Sequence, residues 1–187
     1  LDIGGESTRP GSTAVDVQDE IDRVVPVIKA MRAAGLTCPI SVDTRSSVVA
    51  KEAVLAWANI INDVSGGRYD ANMLSTASHL NVPIIMMHMR GTPQTMTSEE
   101  HTAYSTGDCI AEIAVELNEQ LSIADSLMPR WMQLTDPGIG FAKVEKENLT
   151  ILKGENMRRL KSLLGDRPMF FGSSRKRFLG AIIDRAD

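Results

Sequence analysis

Hydrophobic residues in this chain fall into short unbroken runs, separated by longer stretches where they recur every three or four positions. The short runs lie at 1–3, 40–43, 60–64, 82–89, 131–134 and 168–172. They are rich in Ile, Val, Met and Phe and mostly do not alternate with polar residues, as expected for strands buried on both faces of a parallel sheet. The longer stretches carry a helical stripe. The first, 15–34, places Ile21, Val24, Val25, Ile28 and Met31 on one side. Further helices are predicted over 47–57, 71–80, 107–127 and 146–163, and from about Arg177 onward. In the longest of these, 107–127, the apolar set is Ile110, Ile113, Val115, Leu117 and Leu121. The punctuation agrees. Gly35 suits a helix stop, Thr44 or Ser46 a helix start, and Asp70 another start. Pro26 predicts a kink or early break inside the first helix. Gly154 weakens the 146–163 helix by about 1 kcal/mol.

This gives six strand-then-helix units. Each strand is followed by a polar or glycine-rich cluster: GGESTRPG, DT, NDVSGG, HMRGTP, DPGIGF and GSSRK. Polar residues gathered after successive strands match the C-terminal face of a TIM (β/α)8 barrel, where such barrels place their active sites. A complete barrel has eight units and typically ~250 residues. The expectation is one partial barrel domain over 1–187, truncated at both ends by about one unit each. A doubly wound sheet is the weaker alternative. It would favour a GxGxxG turn, and the nearest match, GIG at 138–140, has no third glycine three residues on.

The 187 residues are 43% hydrophobic and 24% charged, which suits one α/β domain with a sizeable core. A net charge of −4 and the lack of any basic run argue against a nucleic-acid partner. No apolar run approaches the ~18 residues of a membrane span. Cys38 and Cys109 are far apart, so a reducing compartment is expected. His79, His88 and His101 show no metal-ligand spacing and are read as surface or packing residues.

The stretch richest in candidate chemistry is TDPGIGF, 135–141. An apolar run stops at Asp136, Pro137 cannot continue a ladder, and the glycines allow a sharp turn and a close backbone approach to a ligand. Phe141 adds a flat apolar face beside the carboxylate. An acid and an aromatic at the mouth of a buried strand could hold a flat, hydrogen-bonding heterocycle. Asp43, Asn62 and Lys176 stand at comparable strand ends, and with Asp136 they offer hydrogen-bond acceptors and donors. Each carboxylate and amide has an ordinary alternative: Asp43 as a helix cap, Asn62 as a partner for buried backbone. Met87 could be plain core. Lys176 is harder to explain structurally, because an unpaired buried ammonium is costly. Asp63, next to Asn62, should point the other way in a strand.

GGESTRPG (4–11), SVDT (41–44), INDVSGG (61–67), MHMRGTP (87–93), DPGIGF (136–141) and GSSRK (172–176), in that order, resemble the dihydropteroate synthase family over nearly the whole chain. The resemblance implies a TIM barrel that joins 6-hydroxymethyl-7,8-dihydropterin pyrophosphate to p-aminobenzoate, releasing pyrophosphate and forming dihydropteroate. It places Asp136, Asp43, Asn62 and Lys176 around the pterin edge, and Val64, Met87, Phe141 and Gly172 along its faces. Thr8, Arg9 and Pro10 belong to a loop that closes over the aminobenzoate, and an Arg there suits a carboxylate. Ser174 and Arg177 lie by the start of the last helix, whose free N–H groups suit an anion. The family usually has Ser where this chain has Arg177, so that residue's role is left open between carboxylate contact and solvent. The family often has Gly where Ala142 stands.

The resemblance also implies Mg²⁺ and a diphosphate site. It assigns both to an Asn of the barrel's first strand and an Arg/His pair of its last, neither present in these 187 residues, so the chain alone is expected not to turn over. The implied partners are the two small substrates and a second copy of the chain, with no nucleic acid or membrane. The implied location is cytoplasmic, or mitochondrial in a eukaryote. Two other functions fit the same residues less well: a pterin-binding methyltransferase domain, and a non-catalytic pterin-binding module. STRP and the SRK turn distinguish the synthase from the first.

Overall fold

A computed structural model describes residues 1–174 and 176–182, with backbone only for Arg177, Ala181 and Ile182. Strand β1 (Asp2–Gly4) leads through the STRP loop to helix α1 (Val17–Ala33). Then come β2 (Ser41–Asp43), α2 (Ser47–Leu55), β3 (Ile60–Asp63), α3 (Met73–Leu80) and β4 (Ile84–Met87). A short turn of helix, α4 (Glu99–Thr102), precedes the long α5 (Cys109–Leu127). After β5 (Gln133–Asp136) come α6 (Glu145–Leu152), α7 (Gly154–Leu163) and α8 (Arg177–Ile182). The five strands are parallel and lie in chain order, β1-β2-β3-β4-β5. Beyond β5, the Thr135 N–H donates to Pro168 O at 2.9 Å and the Phe170 N–H donates to Thr135 O at 2.8 Å. This makes a parallel bridge between Thr135 and Met169. A doubly wound sheet reverses its strand order at a switch point. An order that only advances is that of a barrel wall, and the chain forms part of a (β/α)8 barrel.

Register sorts the side chains. Asp43 pairs with Asn62, Asn62 with Ile85 and Ile85 with Leu134, so these four share a face. Met87 and Asp136, paired one step further on, point the same way. The opposite face carries Val42, Ile61, Ile84 and Met86, all fully buried in one core with Val24 and Ile28 of α1 and Ile113 and Leu117 of α5. That face is apolar because helices cover it. Asp63 lies on it, as strand alternation predicts, and is sealed by its own backbone: Ser65 N donates at 2.8 Å and Gly67 N at 2.7 Å.

Several helix boundaries differ from expectation for identifiable reasons. Helix α1 runs unbroken through Pro26, which is exposed, so the carbonyl that loses its partner faces water. The expected 146–163 helix is two, because Lys153 is extended (φ −67°, ψ 127°) just before Gly154. Asp70 does not sit at the N-cap of α3, which is Asn72. Its Oδ2 accepts from Ser47 N at 2.8 Å instead, tying α3 to the start of α2, where Ser46 is the cap. Val115 is 63% exposed, off the buried stripe of α5. The expected strand 168–172 reduces to the bridge at Met169.

The rim where strands begin is finished differently from the rim where they end. Arg32 at the end of α1 donates to Leu36 O, Cys38 O and Trp57 O at 2.8–3.1 Å, clasping the turns into β2 and β3. Trp57, before β3, and Trp131, before β5, stand 74% and 65% exposed there.

Candidate functional site

At the other rim, the strand ends converge. Asp43 closes β2, Asn62 sits next to last in β3, and Asp136 closes β5. Asp136 is 5% exposed, and its Oδ1 accepts from Gly138 N at 2.7 Å. Burial pushes its carboxyl up to about 6, opposed by that amide and by the charges of Lys143 and Lys176. Asp43 is pushed further, to about 7, by burial and then by its acidic neighbours Asp2 and Asp63. Its Oδ1 is buried with no hydrogen-bond partner among the described residues. Asn62 Nδ2 donates to Asp2 Oδ2 at 3.1 Å. An orphaned acceptor is costly to bury, so this half of the cleft is shaped to receive a donor.

Its other half is apolar. Val64, Met87, Met89, Met96 and Ala142 form a small core separate from the main one, with Phe141 packed against it. Lys176 reaches across from the far side. Its ammonium lies 4.4 Å from the centre of the Phe141 ring, a cation–π contact. Burial lowers its pKa, with Asp136 and Asp43 pulling the other way. Gly172 borders Asp136, and a Cβ there would lie 4.0 Å from Asp136 Oδ2. The expected pterin-edge and pterin-face residues therefore share one cleft, acid and amide on one side, thioether and ring on the other.

Two glycines make the turn possible. Gly138 has φ +70°, and a Cβ there would sit 2.0 Å from His88 O. At Gly140 (φ +81°), a Cβ would be 2.9 Å from Lys176 Cδ. The backbone comes this close because no side chain intervenes.

Thr8, Arg9 and Pro10 are not drawn into the cleft. Arg9 and Pro10 stand exposed on the loop after β1, and Gly11 N is held by Pro93 O at 2.8 Å. The loop's base is firm: Glu6 and Arg45 pair at 2.7 Å with 8% and 7% of their side chains exposed. Ser174 is exposed in the turn before α8. Arg177 opens α8, and its side chain lies outside the described residues.

Sequence reading missed a polar line behind the cleft. His88, expected to be a surface or packing residue, is fully buried and hydrogen-bonded on both ring nitrogens. Lys143, which had no assigned role, is 8% exposed and bonds to it. The partners lie 55 positions apart, so no local pattern announces them. The one available signal was a histidine inside a methionine-rich buried strand. Among the described residues, no three His, Cys, Asp or Glu side chains converge to hold a metal. These residues therefore offer Mg²⁺ no three-ligand site. Among the described residues, no helix is long and apolar enough to cross a membrane.

A partial parallel barrel whose strand-end acids, amide and lysine meet over an aromatic ring is built to bind a flat heterocycle. The whole chain, residues 1–187, matches the pterin binding enzyme family, and it belongs to that family. It is 41% identical over 189 residues to a dihydropteroate synthase of Synechocystis sp., covering all of this chain and 62% of that protein. It is 44% identical over 183 residues to the folic acid synthesis protein fol1 of Pneumocystis carinii, covering 97% of this chain but 24% of the relative. The Xanthomonas albilineans dihydropteroate synthase solved with 4-aminobenzoic acid superposes with a TM-score of 0.87 at 38% identity, over 100% of this chain and 63% of that one. The chain thus spans between about a quarter and three-fifths of the length of these relatives.

Proposed function

We propose that the protein carrying this chain is a dihydropteroate synthase. It condenses 6-hydroxymethyl-7,8-dihydropterin pyrophosphate with p-aminobenzoate to give dihydropteroate and pyrophosphate. The observation that carries this reading is the cleft itself: Asp43 with an unpartnered buried oxygen, Asp136 with a second acid, and Lys176 over Phe141. The pterin's amino and ring N–H groups donate to Asp136 and Asp43. Asn62 and Lys176 donate to its carbonyl and ring nitrogen. Val64, Met87, Phe141 and Gly172 enclose its faces.

Reaction occurs at the pterin methylene carbon. The C–O bond to pyrophosphate breaks and its electron pair leaves with the pyrophosphate. Positive charge then spreads into the ring, where Asp136 and Asp43 stabilise it electrostatically. The aromatic amine of p-aminobenzoate forms the new C–N bond and gives up a proton. Thr8, Arg9 and Pro10, on their mobile-looking loop, close over the benzoate, with Arg9 facing its carboxylate. Ser174 lines the same side. Mg²⁺, when bound, would neutralise charge on the departing diphosphate, and the cleft residues named above would hold the pterin. We place the enzyme in the cytoplasm, or in mitochondria in a eukaryote, as a homodimer acting on small molecules.

The test is Lys176→Ala in the full-length protein, assayed for dihydropteroate formation. A loss of at least a hundredfold in rate with an unchanged thermal midpoint is expected, as for removal of a preorganised electrostatic group. Near-normal turnover removes Lys176 from the site.

A further inference from the structure

The line of polar groups behind the cleft runs from the surface to the turn that carries Asp136. Arg90 forms a fork on Glu116, donating from Nε at 2.9 and 3.1 Å, and pairs with Glu112 at 2.9 Å. Glu116 Oε2 meets His88 Nε2 at 3.1 Å. His88 Nδ1 lies 2.9 Å from Lys143 Nζ, and that ammonium also donates to Phe141 O at 2.9 Å.

While Lys143 is an ammonium, the chemistry fixes the protons in this line. An ammonium has no lone pair, so His88 Nδ1 accepts. Its proton is therefore on Nε2, where it donates to Glu116. The imidazole is neutral: burial, then the charge of Lys143, hold its pKa down to about 3. Glu116 stays ionised; burial opposes this, but the hydrogen bonds from His88 and Arg90 hold it at about 2. Lys143 is the exposed weakness of the line, because an ammonium buried this deeply costs several kcal/mol unless a charge compensates it. Burial brings the Lys143 pKa down to about 7, and the charge that opposes this most is Asp136, with Glu116 also raising it.

The turn between them is braced as well. His88 N donates to Asp136 O at 2.8 Å, and Gly140 N donates to Asn148 Oδ1 at 2.7 Å, while Asn148 Nδ2 donates back to Lys143 O at 3.2 Å. Lys143 thus grips the Asp136–Phe141 turn from behind, through the Phe141 carbonyl, and sets a positive charge beneath its acid.

We propose that Lys143, fixed by His88 and Glu116, is a positioning residue that keeps Asp136 ionised and Phe141 in place for the bound heterocycle. This rests on the pterin-binding reading above. The groups facing Asp136 are Lys143 and Lys176 and the amides of Gly138 and Gly172. Those facing Lys143 are Asp136, Arg90, Glu116, Cys109 and His88. Removing the Lys143 charge leaves Lys176 as the one cation facing Asp136 among these groups, so the acid should protonate at higher pH.

The experiment uses the full-length protein as wild type, Lys143→Met and Lys143→Arg. The Asp136 carboxyl is titrated by carbon NMR, assigned with Asp136→Asn, and 6-hydroxymethylpterin binding is measured from pH 5 to 9. In Lys143→Met, the Asp136 midpoint and the acid limb of binding should both move up by about one pH unit. Lys143→Arg should leave both within a fraction of that. An unmoved Asp136 midpoint in a folded Lys143→Met protein overturns the proposal. If that variant does not fold, nitrogen NMR of His88 in wild type decides. A neutral Nε2–H ring from pH 5 up to about 7, where Lys143 is an ammonium, supports the line, and a ring that titrates near its ordinary pH, or carries its proton on Nδ1 in that range, sinks it. Failure of wild type to bind the pterin at any pH would overturn the functional reading instead, while the Asp136 and His88 titrations still decide the role of Lys143.

Discussion

Asp43 carries a cost that only a ligand relieves. Its carboxyl ionises at about 7 in the folded chain, against an ordinary 3.8, because it is buried among other acids. A raised acid binds its proton more tightly when folded, so ionisation destabilises the fold as pH climbs from about 4 to about 7. Below that window the penalty is absent, and above it the penalty is complete. Asp43→Asn should therefore unfold later than wild type at pH 8, by on the order of 1–3 kcal/mol, and show no gain at pH 3.5. Urea unfolding at the two pH values checks this. The same substitution should weaken pterin binding, since Asn offers one acceptor where the carboxylate offers two. Asp43, Asn62 and Asp136 were legible because a lone polar residue at the end of an apolar run has few reasons to be there. Lys143 and His88 were not. Each looks ordinary in its own neighbourhood, and their meaning comes from a contact between strand β4 and the turn after β5.

At the level of elements, the first four strands were read well. The run expected as a strand from Trp131 opens in a 3-10 turn, Arg130–Met132, with β5 starting at Gln133, and 168–172 makes only a bridge. An unbroken run such as Ile84–Met87 has one comfortable destination, between helices. Helix α4 escaped notice because its four residues, Glu99–Thr102, carry no apolar stripe and bury nothing. The division of α6 from α7 was foreshadowed only by Gly154, since one glycine costs too little to locate a break. The turn after β5 is the element with least tolerance. Gly138→Ala would drive a methyl into His88 O at a positive φ, and should cost roughly 2–4 kcal/mol. Gly107→Ala is the control: φ is +75° but nothing lies within 4 Å, and the expected loss is about 1 kcal/mol. Chemical denaturation of the two variants separates crowding from backbone strain.

For the whole molecule, polar ends of strands scattered from Asp43 to Lys176 meet at one rim, and the opposite rim is closed by Arg32. On the proposed function, two substrates enter the same rim. If the loop after β1 covers the benzoate, sulfonamides should compete with it in the full-length enzyme. They should raise the apparent KM for p-aminobenzoate and leave kcat unchanged. Steady-state kinetics at several drug concentrations tests this, and a fall in kcat with KM constant would count against the loop assignment. The barrel architecture was legible from the count and order of units. The position of the loop was not, because an exposed, polar segment carries no hydrophobic code for where it rests.

Trp57 and Trp131, the chain's two indoles, both lie beside strand starts. Their emission consequently registers whether the frame is assembled and stays indifferent to a guest at the far mouth. Melting curves read from these fluorophores still shift with occupancy, because a bound ligand stabilises the folded state, so cleft variants are compared ligand-free, while titrations of small molecules are better followed by heat or by the absorbance of the molecule added.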